Sequence, residues 1–247
     1  MDKIRIIYEP TDLKPFLVIY KPKNLPTAPL SEDDKNNALS QAIELYPQIK
    51  QVTGKKDIEY GLLHRLDTPT DGFIVIALNQ ETYDFLQNEQ KEGRFIKYYT
   101  AKCSKLNEDI SNFFHGFPKA PLHDSSHFYL NSMFRAYGPG NKEVRPVTKD
   151  SGKKALSKIG KEKNYTTEVN ILSNSENECL VCCKIKEGFR HQVRCHLAWA
   201  GLPIIGDKLY NPDKKNAEEP LRFSATKIEF EYPKGDLNSY EITFTWT

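Results

Sequence analysis

Short apolar segments alternate with polar stretches marked by Pro and Gly along most of this 247-residue chain. "IRIIYE" (4–9) and "FLVIYKP" (16–22) are brief, β-branched and aromatic, which predicts strands. "KPKNLPTAP" (21–29) is a Pro-punctuated loop. In "NALSQAIELY" (37–46), Leu39, Ile43 and Tyr46 fall on one helical face, so a helix is expected. "GLLHRLDTPTDGFIVIAL" (61–78) predicts an opening strand, a turn and a second strand over 73–78. Residues 80–93 predict a helix and "RFIKYYTAKC" (94–103) a strand. From Asn112 to about Gly152 regular signals fade among Pro118, Pro121, Pro139 and Pro146, and a long loop or insertion is expected over 112–150. Strands resume at 165–172 and 179–187. "GFRHQVRCHLAWAG" (188–201) predicts a short helix closed by Gly201, and 222–233 with 239–247 predict a terminal antiparallel hairpin. Many strands, few helices and no regular βαβ alternation indicate an α+β fold around a mostly antiparallel sheet, expected as a single domain over 1–247.

Composition narrows the function classes. The chain is 38% apolar and 28% charged, as in globular proteins, and no run approaches the length of a membrane span. "MDKIRIIYEP" lacks the apolar core of a signal peptide, so a cytoplasmic location is expected. Five cysteines do not resemble a disulfide framework. The net charge of +2 is uninformative, but residues 135–163 hold nine Lys/Arg against three acids. Such a segment either tracks phosphates or is a solvated Lys-rich loop.

Three motifs offer chemistry. Asp67 stands where a strand is expected to give way to a turn, flanked by His64 and Arg65, so its carboxylate faces a cleft, caps the turn or pairs with Arg65. In "KYY" (97–99), Tyr98 and Tyr99 point to opposite faces, one packing and one facing outward. On a helix beginning at Gly188, Arg190 and Arg194 share a stripe beside Val193, Leu197 and Ala200. A partly buried Arg194 needs an anion, either a structural acid or Asp67. His191 and Gln192 orient neighbours or contact phosphate. Cys179, Cys182 and Cys183 lack a second ligand pair at zinc spacing, and no metal is expected. The phosphate-binding G-x-x-x-x-G-K-[ST] and G-x-G-x-x-G patterns are absent, so no nucleotide cofactor is expected. A lone positioned carboxylate with an arginine and an aromatic plate suits covalent chemistry at a sugar carbon or an activated ring.

These motifs resemble the RluA-type RNA pseudouridine synthases. "HRLDTPTDG" (64–72) is similar to their H-R-L-D-x-x-T-S-G signature, and "IKYYTA" (96–101) to their K-x-Y-x-A strand. "GFRHQVRCHLAWAGLPIIGDKLY" (188–210) resembles the G-R-x-H-Q-I-R-x-H-L-A block, with Phe189 at its first Arg. "YKPKNLPTAP" (20–29) and "LRFSATKIEFEYP" (221–233) resemble the early and late motifs, with Asn24 where Gly is usual. The resemblance implies a pseudouridine synthase fold: a mixed, mostly antiparallel bent sheet with flanking helices and a central cleft. It implies isomerisation of uridine in rRNA or tRNA to pseudouridine without a cofactor. Asp67 is then the nucleophile, Tyr99 stacks on the uracil and Arg194 pairs with the aspartate. Arg65, His64, Arg190, His191, Gln192 and Lys97 are the groups expected to bind RNA or flip the base. A monomer is expected, with no separate N-terminal RNA-binding domain.

Overall fold

The computed structural model describes residues 3–121, 123, 125–160, 162–234 and 238–245. They carry strands β1 (Arg5–Tyr8), β2 (Phe16–Lys21), β3 (Asp71–Ala77), β4 (Ile96–Ser104), β5 (His127–Tyr137), β6 (Glu143–Val147), β7 (Tyr165–Asn174), β8 (Glu178–Ile185), β9 (Phe223–Lys234) and β10 (Asn238–Thr245). The helices are α1 (Ala38–Leu45), α2 (Gln80–Lys91), α3 (Lys153–Leu156), α4 (Gln192–Trp199) and α5 (Lys214–Glu218). None is long and apolar enough to cross a membrane. The chain forms two compact units, residues 1–97 with 224–247, and residues 98–223.

In the first unit the strand order is β1–β2–β3–β9, with β10 on β9. All pairings are antiparallel except β3 with β9, which run parallel. Every residue of β3 is buried, as its unbroken apolar run requires of a strand covered on both faces. Gly72 lies at φ 133°, and a Cβ there would sit 2.2 Å from the Ala225 carbonyl oxygen, so only glycine lets β3 meet β9. Phe16, Val18, Phe73, Val75, Phe95 and Phe230 centre the core. Asn37 and Asn79 cap α1 and α2 by accepting from the Ser40 and Thr82 amides.

The second unit orders its strands β4–β8–β7–β5–β6. The β8·β7, β7·β5 and β5·β6 pairs are antiparallel. Its core gathers Phe117, Phe134, Val144, Trp199 and Tyr210. All eight residues of α4 are buried. At its end the Gly201 amide donates to Ala198 and the Leu202 amide to Leu197, with Gly201 at φ 76°. That is the two-bond left-handed stop expected of this glycine. An α+β class with mostly antiparallel pairing therefore holds in each unit.

Three sequence expectations are corrected. Residues 61–66 are not a regular strand: they meet β3 through one bridge, Leu62 to Ile76, and the next ladder acceptor is a side chain, since Val75 N–H donates to His64 Nε2 at 3.3 Å. Residues 112–150 are not one long loop, because β5 and β6 form a hairpin within them. Ser132 and Arg135 are buried polar residues on opposite faces of β5, and they hide its alternation. Third, α4 begins at Gln192 rather than Gly188, because His191 takes φ 56° and breaks the helical path. Arg190 is thus off the helix and shares no stripe with Arg194. Lys161 of the basic segment and residues 246–247 of the expected last strand lie outside the described residues.

Candidate active site

The Asp67 segment hangs between β2 and β3 in the first unit. Its turn closes through Thr70 N–H to the Asp67 carbonyl at 2.9 Å. Two side chains from the early Pro-rich motif fasten it. The Thr27 hydroxyl donates to the Leu66 carbonyl at 2.7 Å and accepts the Leu66 amide at 3.1 Å. Lys21, with no exposed surface, donates to the carbonyls of Leu25 at 2.7 Å, Pro22 at 2.9 Å and Thr68 at 3.2 Å. Burial lowers the Lys21 ammonium to about 8, opposed by the charges of Asp71 and Asp67. Asn24 takes φ 61° in the turn between these anchors, a conformation asparagine tolerates. The backbone on both sides of Asp67 is therefore tied down, while Asp67 itself stays partly exposed.

The neighbouring acid is engaged elsewhere. Asp71 is 8% exposed. It accepts from the Tyr20 hydroxyl and, at 2.7 Å, from Ser224 Oγ, with Lys23 Nζ at 3.9 Å. Burial, reinforced by this bond, raises the Tyr20 phenol well above its ordinary range. Asp71 is a joint between β2, β3 and β9. A second carboxylate for hydrolytic chemistry, which its proximity in sequence invites, is not available in it.

Arg65 pairs with Glu59, Nη1 to Oε1 at 3.0 Å, and more than half of its side chain remains in solvent. The ring of His64 packs edge-on to Phe95. Its Nε2 accepts, so Nδ1 carries the hydrogen, and that buried Nδ1 meets no partner among the described residues. Burial, then the charges of Lys97 and Lys55, hold His64 neutral. Lys97 is 6% exposed with Nζ 5.9 Å from the Phe95 ring centre.

In the second unit, Tyr99 stacks on Phe223, ring centres 5.1 Å apart and planes 13° from parallel. Tyr98, on the opposite face of β4, is half-buried under Lys184. On α4, Gln192 is spent on structure: its amide accepts from Phe189 N–H and donates to the Thr166 carbonyl and Thr167 Oγ1. Arg194 is held by Asp207, Nε to Oδ2 at 2.8 Å and Nη2 to Oδ1 at 2.7 Å. Asp207 also accepts the Leu209 and Tyr210 amides. His191 Nδ1 meets the Tyr210 hydroxyl at 3.0 Å. Arg190 donates through Nη2 to the carbonyls of Asn141 and Glu143.

Lys21, Thr27 and Asp207 escape sequence reasoning. The visible signals are a lysine ending an apolar strand and the "GD" after α4. The partners of Lys21 are backbone carbonyls, which leave no side-chain pattern to read.

The arrangement matches known proteins along most of its length. A family model described as RNA pseudouridylate synthase matches residues 15–199. Ribosomal large subunit pseudouridine synthase D of Borreliella burgdorferi is 26% identical over 242 residues, which cover 98% of this chain and 65% of that protein. An uncharacterized RNA pseudouridine synthase of Helicobacter pylori is 29% identical over 236 residues, 95% of this chain and 64% of that one. The chain thus spans just under two thirds of the length of these relatives. The solved structure of Human RNA Pseudouridylate Synthase Domain Containing 1 is similar in fold, with a TM-score of 0.64 at 18% identity over 97% of this chain and 82% of that one. The model match covers the Asp67 turn, the Tyr99 strand and α4 together, and on that ground the chain belongs to the RNA pseudouridylate synthase family.

Proposed function

We propose that this chain isomerises uridine to pseudouridine in rRNA or tRNA, with Asp67 as the nucleophile. The observation that carries the reading is the clamping of the Asp67 turn: Lys21 and Thr27 grip the backbone at Thr68 and Leu66 and so fix the position from which the partly exposed Asp67 acts. In the proposed reaction the C1′–N1 bond breaks, the uracil turns, and a C1′–C5 bond forms. The C5 proton leaves and N1 gains one. The protein supplies an anionic oxygen, a ring to hold the base, and a cation for the aspartate, in the roles of Asp67, Tyr99 and Arg194. No resident cofactor enters this balance.

The target base must leave its stack, which costs a few kcal/mol. Arg65, solvent-facing beside Asp67, is proposed to fill the vacated space, with Glu59 holding its guanidinium until RNA arrives. His64, His191 and Arg190 support the turn and α4. The commitment of Asp71 to Tyr20 and Ser224 favours isomerisation over hydrolysis, which ordinarily needs a paired carboxylate. The working form proposed is a cytoplasmic monomer.

The test is tritium release from RNA carrying [5-³H]uridine, with pseudouridine mapping of total rRNA and tRNA with and without the protein. Release with formation of a mass-neutral isomer is expected. Liberated free uracil, or binding without release, would overturn the reading.

A further inference from the structure

The basic stretch from Arg135 onward has no part in the reaction above, and its first arginine is in an unusual position. Arg135 on β5 and Arg145 on β6 are directly opposed across the hairpin. Like charges opposed on one sheet face repel. Tyr137 and Glu143, the next pair on that face, lie beside them. Both guanidiniums cover the Tyr137 ring, at 4.8 Å for Arg135 and 4.3 Å for Arg145.

The two are served unequally. Arg145 uses all three nitrogens: Nη2 to Glu143 at 2.6 Å, Nη1 to the Val144 carbonyl at 3.0 Å and Nε to the His115 carbonyl at 3.3 Å. Arg135, 9% exposed, has one acceptor among the described residues, the Gly116 carbonyl, 3.4 Å from Nη2. Its Nε is buried with no partner, and no described carboxylate pairs with it. Burial and the Arg145 charge both work against its cation. Gly116, at φ 88°, permits even this arrangement, since a Cβ there would lie 2.7 Å from Nη2. The carboxylate beside the two guanidiniums, Glu143, thus pairs with Arg145 alone, and no described anion meets Arg135. The Arg135 bridge to Ile159 brings the next stretch alongside, and Lys142, Lys149, Lys153, Lys154 and Lys158 are exposed around this unit's hairpin segment.

We propose that Arg135, with Arg145 beside it, binds a phosphate, and that its source is a backbone phosphodiester of the RNA. The assignment to RNA rests on the function proposed above. A phosphate supplies the paired acceptor oxygens that a guanidinium fork lacks here.

The test measures affinity of the full chain for a uridine-containing hairpin transcript against KCl concentration. Arg135→Gln is expected to lower the slope of log K against log salt by about one, uniformly across hairpin sequences. Arg135→Lys is expected to keep most of it. A folded Arg135→Gln protein with the wild-type slope overturns the proposal. Should that variant not fold, the Arg135 Nε–H resonance of the wild-type protein, assigned through Arg135→Lys, decides: it should shift on adding the hairpin. No shift at saturation overturns the site, and a shift with inorganic phosphate alone overturns the assignment to RNA. Wild-type protein that makes pseudouridine without this dependence sinks the phosphate site alone. An Arg135-dependent slope in a protein that makes none sinks the catalytic reading alone.

Discussion

Asp207 grips Arg194 by two parallel hydrogen bonds, and neither partner is more than 5% exposed in its side chain. The pair fixes the plane of the guanidinium from the loop that follows α4. Breaking such a pair by removing one member costs a buried charge both of these hydrogen bonds. Asp207→Asn is therefore expected to destabilise the protein by about 3 kcal/mol or more. The melting temperature should fall by roughly 6–12 °C. An unchanged melting curve would show that the pair contributes nothing.

Asp67→Asn tests the nucleophile. The anchors of its turn act through the carbonyls of Leu66 and Thr68, so fold and RNA affinity should persist. Turnover is expected to drop below about a thousandth of wild type in a single-turnover assay. A variant retaining more than that is incompatible with covalent catalysis by this carboxylate.

Tyr99→Phe keeps the ring stacked on Phe223 and removes only the hydroxyl. If that hydroxyl moves a proton, kcat should fall by about a hundredfold with KM little changed. A rise in KM alone would assign Tyr99 to binding.

Arg65→Ala should reduce activity on a structured RNA by roughly tenfold to a hundredfold more than on an unstructured oligomer, since only the former must give up stacking. Equal losses on the two substrates contradict a base-displacing role.

Acid should weaken the second unit through His196. Its Nδ1 meets Thr167 Oγ1 at 2.8 Å and its Nε2 meets Ser132 Oγ at 2.9 Å, and burial lowers it from 6.5 to about 3. A depressed folded value means the contribution is whole above pH 6.5 and is lost as pH falls toward 3. Between pH 7 and pH 5 the stability advantage of wild type over His196→Gln should shrink by about 2 kcal/mol. Denaturant titrations at the two pH values measure it. His64 shifts in the same direction but is present in both proteins and cancels.

What the sequence discloses depends on where the partner lies. Helices α1 and α2, the short strands and the Gly201 stop follow local rules, so their positions are legible from neighbouring residues. The Asp67, Tyr99 and Arg194 motifs are legible as motifs. Strand β5 is not, because Ser132 faces inward only to meet His196, 64 residues away. The start of α4 is misjudged because nothing local marks His191 as left-handed. The acid that holds Arg194 is hidden beyond the helix, and Lys21 is hidden because its acceptors are main-chain atoms.

Strand β6 ends the strand order of its unit and, among the described residues, pairs only with β5. Val144 and Pro146 both turn their main-chain groups away from β5, as alternate residues must. The Val144 amide is already taken by the Tyr210 hydroxyl at 2.9 Å, and proline has no amide to offer. The rim therefore presents no run of donors on which another polypeptide can lay down a strand. In the folded unit this rim is thereby closed to edge-to-edge growth, a safeguard against aggregation in the very hairpin whose proline content obscures it in the sequence.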